Sequence, residues 1–315
     1  MTTETTKGKY NVIGTRPIRH DGYDKVTGRA IYGADIKLPG LLQGAVLRSP
    51  HAHARIKSID TSAAKAMAGV YSVITSADFP GAHDTLVDLG EGAINFRYAS
   101  NNVMAGDKVL YKGHPVAAIA ALDKNTALEA AALIKVDYEV LKPVSTVLEA
   151  LKPGAPIVLE ELEGQDLGEK IDGQTNQANH IRHEFGDVEK GFGEADIVIE
   201  REFDTAMVHQ GYIEPHNATA TWDEEDRITI WTSTQGSFPT RRQTAGILRV
   251  PDSSVKVIPL EIGGGFGGKI PSYLEPVAAI LSRESGRPVK LLMERTSVFE
   301  STGPTPGTWM SAKVG

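Results

Sequence analysis

The sequence predicts an α/β (α+β) fold with two successive domains. In the first half, two units of strand, helix and strand follow one another, and in the second half alternating strands lead into a helix and a further strand. The chain has 315 residues, 41% of them hydrophobic, so it can form one or two cores at the usual ~100 to 200 residues per domain. We therefore expect two α/β domains.

The first domain is expected at residues 20–142, after an N-terminal extension at residues 1–19. Residues 11–40 are rich in glycine, proline and aspartate, which predicts tight turns and little regular structure. The elements predicted in this domain are strands at 42–48, 54–60, 70–75, 116–122 and 134–140, helices at 61–68 and about 125–133, and a long loop at 80–106.

A shift to polar and proline-containing sequence predicts an interdomain linker at residues 143–180. The second domain is then expected at residues 181–315. Its predicted elements are strands at 196–204, 217–222, 227–232, 255–260, 288–293 and 308–314, and helices at 239–248 and 272–283.

Charge and composition exclude several classes of protein. With 33 basic and 40 acidic residues the net charge is −7, and no basic run is long enough to follow a nucleic-acid backbone. Because there is no cysteine, this chain cannot hold an iron–sulfur cluster or a thiolate zinc site. The N-terminal residues lack the pattern of a secretory signal, and no apolar run reaches the ~18 residues of a membrane helix. We expect a cytoplasmic protein without a membrane span.

The most informative motif is the glycine-rich segment at 261–269, which follows a predicted strand and precedes a predicted helix with Pro271 near its first turn. Five of the six residues at 263–268 are glycine. Glycine permits positive φ and close approach of backbone N–H groups, so such a loop at a helix N-terminus suits a phosphate or an oxo anion. The alternative is a glycine-rich turn that binds nothing.

A nicotinamide site is a competing interpretation of the same loop. Gly263, Gly265 and Gly268 satisfy G-x-G-x-x-G, the fingerprint of an NAD-binding Rossmann dehydrogenase. A Rossmann motif normally opens its domain, whereas this loop comes late in the chain and Pro271 delays the helix. A P-loop is excluded because Lys269 is followed by isoleucine instead of serine or threonine.

Gln235 lies in the connection between the predicted strand at 227–232 and the predicted helix at 239–248. Its amide is both donor and acceptor, which suits recognition of a metal-bound oxo ligand. The alternative is that Ser237 caps the helix and Gln235 is only solvated. Since ligands in open α/β sheets bind at the carboxyl ends of strands, we predict that Gln235 and the loop at 264–268 face one cleft.

Several further motifs occur in a fixed order along the chain. They are GTR at 14–16, DG at 21–22, KVTG at 25–28, Tyr32, AD at 34–35, LRSPHAHARI at 47–56, GHPVA at 113–117, His209 with EPH at 214–216, TQ at 234–235, GGGFGGK at 263–269, GRPVK at 286–290 and Arg295. This order resembles that of molybdenum hydroxylase large subunits, the family of xanthine dehydrogenase and aldehyde oxidase. The resemblance extends over nearly the whole chain.

The resemblance implies an α/β hammerhead-like domain at 20–142 and the first part of an incomplete molybdopterin-binding domain at 181–315. It implies that Gln235 hydrogen-bonds an oxo ligand of molybdenum and that no protein atom binds the metal directly. It also implies that a loop backbone lines the cofactor, at Gly264, Gly265, Phe266, Gly267 and Gly268. Ile270 stands where purine-oxidising members have an acidic substrate contact, which counts against a purine substrate. The active-site cysteine of carbon-monoxide-oxidising members lies beyond the region covered.

Two other candidates are weighed against structural roles. His51 and His53 are two residues apart and could chelate zinc or copper, but no cysteine or clustered carboxylate completes a ligand set. The resemblance makes them fold residues of the hammerhead domain. Glu214 could be a general base, but the resemblance makes it a structural residue near the cofactor cleft.

The function that the resemblance implies is hydroxylation of an aldehyde or N-heterocycle at an electron-poor carbon, with water as the oxygen source. The implied cofactor is molybdenum–molybdopterin in its cytosine dinucleotide form. FAD and 2Fe–2S clusters are expected on partners, a medium FAD-binding subunit and a small iron–sulfur subunit. The general-base glutamate is expected beyond residue 315.

Two alternatives stay open. The chain is either part of a split catalytic subunit that needs a second chain, or a non-catalytic fragment of the cofactor domain. The strand at 308–314 is expected to have no partner strand, which would leave a free sheet edge. We therefore expect the isolated chain to lack hydroxylase activity and to associate.

Overall fold

The structure is a computed structural model that describes residues 10–88 and 92–315. Most of the expected N-terminal extension (1–9) and part of the predicted loop at 80–106 (89–91) lie outside the described residues. Within the described ranges the α-helices are α1 Gly22–Thr27, α2 Ser62–Lys65, α3 Phe96–Val103, α4 Lys124–Leu133, α5 Val147–Ala150, α6 Val188–Glu194, α7 Ser237–Leu248, α8 Glu275–Ser285 and α9 Arg295–Ser301, and short 3₁₀ turns lie at Gly33–Asp35, Ser76–Asp78 and Asp252–Ser254.

The strands divide into one large sheet and several small ones. They are β1 Leu42–Arg48, β2 Ala54–Asp60, β3 Val70–Thr75, β4 Leu86–Asp88, β5 Ala93–Asn95, β6 Lys108–Val109, β7 Pro115–Ala121, β8 Lys135–Val140, β9 Gln165–Asp166, β10 Glu169–Lys170, β11 Asn179–His180, β12 Ile199–Thr205, β13 Asn217–Trp222, β14 Ile228–Thr232, β15 Val255–Pro259, β16 Val289–Leu292 and β17 Thr308–Val314.

The large sheet has seven strands in the order β15-β14-β13-β16-β1-β7-β3. The β1–β16 and β14–β15 pairs are parallel, and the other pairs are antiparallel. Strands from residues 20–142 and from residues 181–315 thus share one sheet. The mixture of helices with parallel and antiparallel strands confirms the predicted α/β (α+β) class, while the domain boundaries stay a prediction.

Strand β7 explains why the run at 116–122 carries no charge. All seven residues of β7 are buried. Ala118 and Ala120 belong to the core that contains α8, whereas Ala117 and Ile119 belong to the core that contains α4. A strand covered on both faces is expected to be continuously apolar. The small alanine side chains let both helices approach this strand closely.

The predicted loop at 80–106 is wrong, because β4, β5 and α3 lie within it. The side chain of Asn95 caps α3 by accepting a hydrogen bond from the Arg97 N–H at 2.9 Å. Only Phe96 and Val103 of α3 are buried. The helix spans only eight residues, about two turns, which is too short a segment to be recognised in a polar and glycine-containing stretch of sequence.

The N-terminal segment contacts the second half of the chain. Residues 11–40 contain only the short helix α1 and one 3₁₀ turn, which agrees with the prediction of little regular structure there. The Lys290 ammonium donates to the carbonyls of Ala34, at 2.8 Å, and Ile36, at 3.0 Å. The Glu261 N–H donates to the carbonyl of Ile31 at 3.1 Å. This segment therefore covers the start of the glycine-rich loop.

The terminal strand is paired, so the expectation that 308–314 has no partner strand is wrong. Strand β17 pairs antiparallel with β12 over seven residues, from Ile199↔Val314 to Thr205↔Thr308. Every residue of both strands is exposed. The two strands form a two-stranded ribbon whose side chains are not packed into a core.

No helix among the described residues is long and apolar enough to cross a membrane.

Candidate cofactor site

The candidate site lies at the carboxyl ends of two parallel neighbours in the large sheet. Strand β14 ends at Thr232, three residues before Gln235, and β15 ends at Pro259, shortly before the glycine-rich loop. Since β14 and β15 run in the same direction, both connections leave the sheet at the same edge. The structure therefore brings the two sequence-predicted segments together.

Gln235 is bound directly to the loop through its side chain. Its Oε1 atom accepts hydrogen bonds from the N–H groups of Gly267, at 2.9 Å, and Lys269, at 3.1 Å. Its backbone N–H donates to the Lys269 carbonyl at 3.1 Å. Two backbone donors must meet the oxygen and not the NH₂ group, so they fix the orientation of the amide. The Nε2 group makes no hydrogen bond to the described part of the chain.

The loop backbone contains three successive N–H groups that make no hydrogen bond within the described residues. Gly264, Phe266 and Gly267 have φ of 92°, 50° and 91°. Among residues 10–88 and 92–315, the N–H groups of Gly264, Gly265 and Phe266 donate no hydrogen bond. Successive free N–H groups in a loop with left-handed residues make an anion-binding concavity. Phe266 itself is 74% exposed.

Close packing explains two of the glycines. A Cβ placed on Gly265 would lie 2.5 Å from Oε1 of Gln235, and one on Gly263 would lie 2.5 Å from Cβ of Glu214. Gly267 differs, because no atom lies within 4 Å of a Cβ placed there. Glycine is therefore needed at 263 and 265 for contact with the protein, and at 267 for its positive φ beside open space.

Glu214 anchors the loop through a buried ion pair. Its Oε2 accepts from the Lys269 ammonium, at 2.8 Å, and from the Gly263 N–H, at 2.7 Å. The Lys269 side chain is 0% exposed and the Glu214 side chain is 11% exposed. Burial lowers the pKa of the Lys269 ammonium, and the ion pair with Glu214 opposes that shift. These contacts favour the structural role of Glu214 over that of a base.

Tyr212 contacts the glycine-rich loop at two positions, and the sequence did not predict this role. A Cβ on Gly264 would lie 2.9 Å from the Tyr212 Cβ, and one on Gly268 would lie 2.8 Å from Cε1 of the same ring. The Tyr212 hydroxyl lies 2.6 Å from Nε2 of His216 and 3.0 Å from the Thr302 hydroxyl. Burial lowers the pKa of His216 to about 3. In the sequence, the only sign of this contact is that Tyr212 lies between His209 and the EPH motif at 214–216.

Glu275 is a second residue that the sequence did not reveal. It accepts hydrogen bonds from the Thr232 hydroxyl, at 2.8 Å, and from the N–H groups of Tyr273, at 3.0 Å, and Leu274, at 3.2 Å. Burial raises its pKa, and these hydrogen bonds oppose the shift. Glu275 thus joins the end of β14 to the start of α8.

The predicted helix at 272–283 begins later than expected. Helix α8 starts at Glu275 with Pro276 in its first turn, so placing Pro271 in the first turn is wrong. The Ser272 N–H is instead bound by the side-chain oxygen of Gln243 at 3.0 Å. The glycine-rich loop is therefore separated from the helix N-terminus. A Rossmann site, with its pyrophosphate on the helix that directly follows the motif, does not fit this geometry.

The two histidines of the first half lie in structural surroundings. His53 is 4% exposed and its Nδ1 atom lies 2.9 Å from the Lys142 carbonyl. His51 contacts the ring of Tyr138 edge-on, with centroids 5.0 Å apart. Where the chain is described, no group of three or more histidine, cysteine or acidic side chains is arranged to hold a metal ion.

Comparison with known families gives two matches along the chain. A profile described as "Molybdopterin cofactor-binding domain" matches residues 171–315. A profile described as "Aldehyde oxidase and xanthine dehydrogenase, a/b hammerhead domain" matches residues 27–142. The first of these regions contains Gln235 and the glycine-rich loop.

Individual relatives agree with these matches. The chain is 35% identical to the carbon monoxide dehydrogenase large chain of Afipia carboxidovorans over 93% of its own length and 36% of that protein. It is 32% identical to the nicotinate dehydrogenase large molybdopterin subunit of Eubacterium barkeri over 91% of its own length and 62% of that protein. A solved structure, reconstituted CO dehydrogenase from Oligotropha carboxidovorans, matches with a TM-score of 0.77 and 33% identity over 92% of this chain and 36% of that one. The chain thus spans between about one third and three fifths of these proteins.

Proposed function

The chain belongs to the molybdenum hydroxylase family of xanthine dehydrogenase and aldehyde oxidase, and we propose that it is the part of such an enzyme that holds the molybdenum–molybdopterin cofactor. The residues proposed to hold the cofactor are Gln235, Gly264, Gly265, Phe266, Gly267 and Gly268. Membership rests on the two family matches, which together cover residues 27–142 and 171–315.

The observation that carries this proposal is the orientation of the Gln235 amide. Its oxygen is satisfied by the loop, so its NH₂ group is the donor that remains for the cofactor. The unpaired N–H groups of Gly264, Gly265 and Phe266 supply further donors from the same loop. A set of neutral donors with no fixed positive charge among them suits the oxygen atoms and phosphate of the cofactor. The residues present therefore fit the group that the family implies.

When bound, the cofactor supplies the two-electron oxidation that hydroxylates a carbon with oxygen from water. The protein residues have other tasks. Gln235 would donate a hydrogen bond to an oxygen of the cofactor and help to hold it. The ion pair of Lys269 with Glu214 holds the loop in place for this contact. The general base is proposed to be a glutamate on polypeptide outside residues 1–315, so the isolated chain is expected to be inactive.

The proposed substrate is an aldehyde or an N-heterocycle, oxidised at an electron-poor carbon. Ile270 follows Lys269 and offers no acidic group to a purine. We propose the cytosine dinucleotide form of the cofactor, a cytoplasmic location, and electron transfer to 2Fe–2S clusters and FAD on a small and a medium partner subunit. The absence of cysteine from this chain supports clusters on a partner.

A split large subunit is the second candidate arrangement. The same stretch of this chain covers 62% of the nicotinate relative and 36% of the carbon monoxide relative. Relatives therefore carry very different lengths of polypeptide beyond it, which supports a second chain that completes the molybdopterin domain. A non-catalytic cofactor-domain fragment would instead bind cofactor without turnover.

The test is to purify the protein with its natural partners, identify every chain by mass spectrometry, and assay aldehydes and N-heterocycles. Partner chains with a glutamate-containing remainder of the large subunit, together with substrate oxidation, would support the enzyme. Cofactor without any turnover would support the fragment. A complex that lacks iron–sulfur and FAD partners and oxidises neither substrate class would contradict the proposed electron-transfer assembly.

A further inference from the structure

We propose that Tyr212 is a positioning residue for the cofactor loop. The backbone of Gly264–Gly268 packs against its side chain, which sets where the loop lies. This inference rests on the proposed function, because it assigns a residue to the same site. Tyr212 acts through the loop and is not proposed to touch the cofactor.

The loop lies directly on the Tyr212 side chain. Gly264 and Gly268 approach it so closely that a Cβ on either would come within 2.9 Å and 2.8 Å of its carbon atoms. The Lys269 ammonium lies 5.1 Å from the centroid of the same ring, which adds a cation–π contact. The loop therefore packs against one side chain at two points, at Gly264 on the Tyr212 Cβ and at Gly268 on its ring. Any shift of that side chain would move the loop on both sides of Gly265 and Phe266.

The ring is in turn held from several sides. Tyr212 is 1% exposed, and its carbonyl accepts from the Arg295 guanidinium at 2.8 Å. Its hydroxyl lies between His216 and Thr302, at 2.6 Å and 3.0 Å. These contacts come from His216, just before β13, and from α9 with the residue that follows it, so two segments hold Tyr212 in place. The position of the loop is thus set by the core and not by the loop alone.

The hydrogen-bonded chain continues to His209. The Gly211 N–H donates to Nδ1 of His209 at 3.0 Å, so Nδ1 is an acceptor and neutral His209 carries its hydrogen on Nε2. That Nε2–H group donates to the Thr302 hydroxyl at 2.9 Å. Protonation of His209 would add a hydrogen to Nδ1, which would then face the Gly211 N–H, and this hydrogen bond would be lost. The segment before Tyr212 is therefore arranged for a neutral histidine, which keeps the ring in one place.

Tyr273 offers a matched control for Tyr212. It is also a buried tyrosine, 7% exposed, and its hydroxyl accepts from the Gly303 N–H at 2.7 Å. Both tyrosines contact His216 edge-on. Loss of either ring should therefore destabilise the fold to a similar extent, but only Tyr212 lies under Gly264 and Gly268.

The experiment compares Tyr212→Leu, Tyr212→Phe, Tyr273→Leu and Tyr273→Phe in the purified complex. The readouts are molybdenum and pterin per folded chain and the melting temperature. At equal loss of melting temperature, we expect Tyr212→Leu to lose at least about tenfold in cofactor content and Tyr273→Leu less than about twofold. Tyr212→Phe keeps the ring and should restore most of the cofactor. Equal cofactor loss in the two leucine variants would overturn the proposal.

A second measurement needs no cofactor and decides the matter if a leucine variant fails to fold. In the full chain labelled with ¹⁵N-glycine, Tyr212→Met removes the ring and should shift the amide resonances of Gly264 and Gly268, whereas Tyr273→Met should leave them in place. Unchanged resonances in Tyr212→Met would overturn the positioning role. If the wild-type complex holds no molybdenum or pterin, the proposed function fails while this test of the loop still gives its own answer.

Discussion

The side-chain oxygen of Gln235 lies 2.9 Å from the amide nitrogen of Gly267, across the gap between the ends of two parallel strands. This hydrogen bond and the neighbouring one from Lys269 make the connections after β14 and β15 a single unit. They also fix which end of the Gln235 amide is bound by the loop, since both donors meet its oxygen.

Gln235→Glu should separate loop support from ligand binding. The glutamate keeps an oxygen for the N–H groups of Gly267 and Lys269 but replaces the outward NH₂ donor with a charged acceptor. We expect the melting temperature to be nearly unchanged and cofactor content per folded chain to fall about 10- to 100-fold, which corresponds to roughly 1.5 to 3 kcal/mol for a hydrogen bond to a charged group. Gln174→Glu, on an exposed loop, controls for the charge. Full cofactor content in Gln235→Glu would contradict the assigned orientation.

Gly267→Val should abolish cofactor retention. Gly267 has φ of 91° and borders open space, so a β-branched side chain strains the backbone and fills the volume that a ligand needs. Gly154→Val is the matched control, with φ of 77° and no atom within 4 Å of a Cβ. Both variants should lose about 1 to 2 kcal/mol of stability, measured by urea unfolding. If both keep molybdenum and pterin equally well, the loop is only a turn.

Lys269→Met should destabilise the fold more than Lys269→Met combined with Glu214→Gln. The single variant leaves the Glu214 carboxylate, 11% exposed, without its cation. Removing one partner of a buried ion pair commonly costs about 3 to 5 kcal/mol in the free energy of unfolding. The double variant removes the stranded charge, so part of the loss should be recovered in urea titrations. A Glu214→Gln variant that unfolds like the wild type yet loses all turnover would instead identify Glu214 as a base.

Acidification below neutral pH should destabilise the folded chain through its buried histidines. Burial lowers the pKa of His114 to about 4 and that of His216 to about 3, from an ordinary value of 6.5. In this range the unfolded chain binds protons that the folded chain does not, so stability falls as pH falls from about 6.5. Each histidine contributes at most about 1.4 kcal/mol per pH unit.

Urea unfolding between pH 6.5 and 5 checks this sign, because most carboxylates stay ionised there. His114→Gln should flatten the dependence, and His183→Gln, at an exposed position, should leave it unchanged. A stability that stays level or rises on acidification in the wild type would show that these histidines are not held neutral.

The parts of the fold that the sequence predicted best have strong local signals. The uncharged run of β7 is buried on both faces, and such burial requires apolar side chains throughout. Gln235 and the glycine-rich loop could be placed together because each follows a strand, and strand ends share an edge. The start of α8 was misplaced because Pro271 and Pro276 are both typical of a first turn. The hydrogen bonds of Ser272 with Gln243 and of Tyr273 and Leu274 with Glu275, which no local pattern predicts, place the start of the helix at Glu275.

The missed features depend on contacts between distant segments. Tyr212 acquires its role from Gly264, Gly268 and Thr302, which are 52 to 90 residues away along the chain. No local pattern marks such a residue. The partner strand of β17 was missed for a similar reason, since β12 precedes it by about 100 residues. Pairing over that distance is decided by the whole fold and not by either strand.

The most direct test of the central claim is the molybdenum and pterin content of the complex purified with its natural partners. Metal analysis and pterin fluorescence, each normalised to the amount of this chain, give the two numbers. We expect about one molybdenum and one molybdopterin per chain, both lost together when Gly267 is replaced by valine. A complex that is folded and complete in its partner chains but contains neither molybdenum nor pterin would contradict the claim that Gln235 and the glycine-rich loop form a cofactor site.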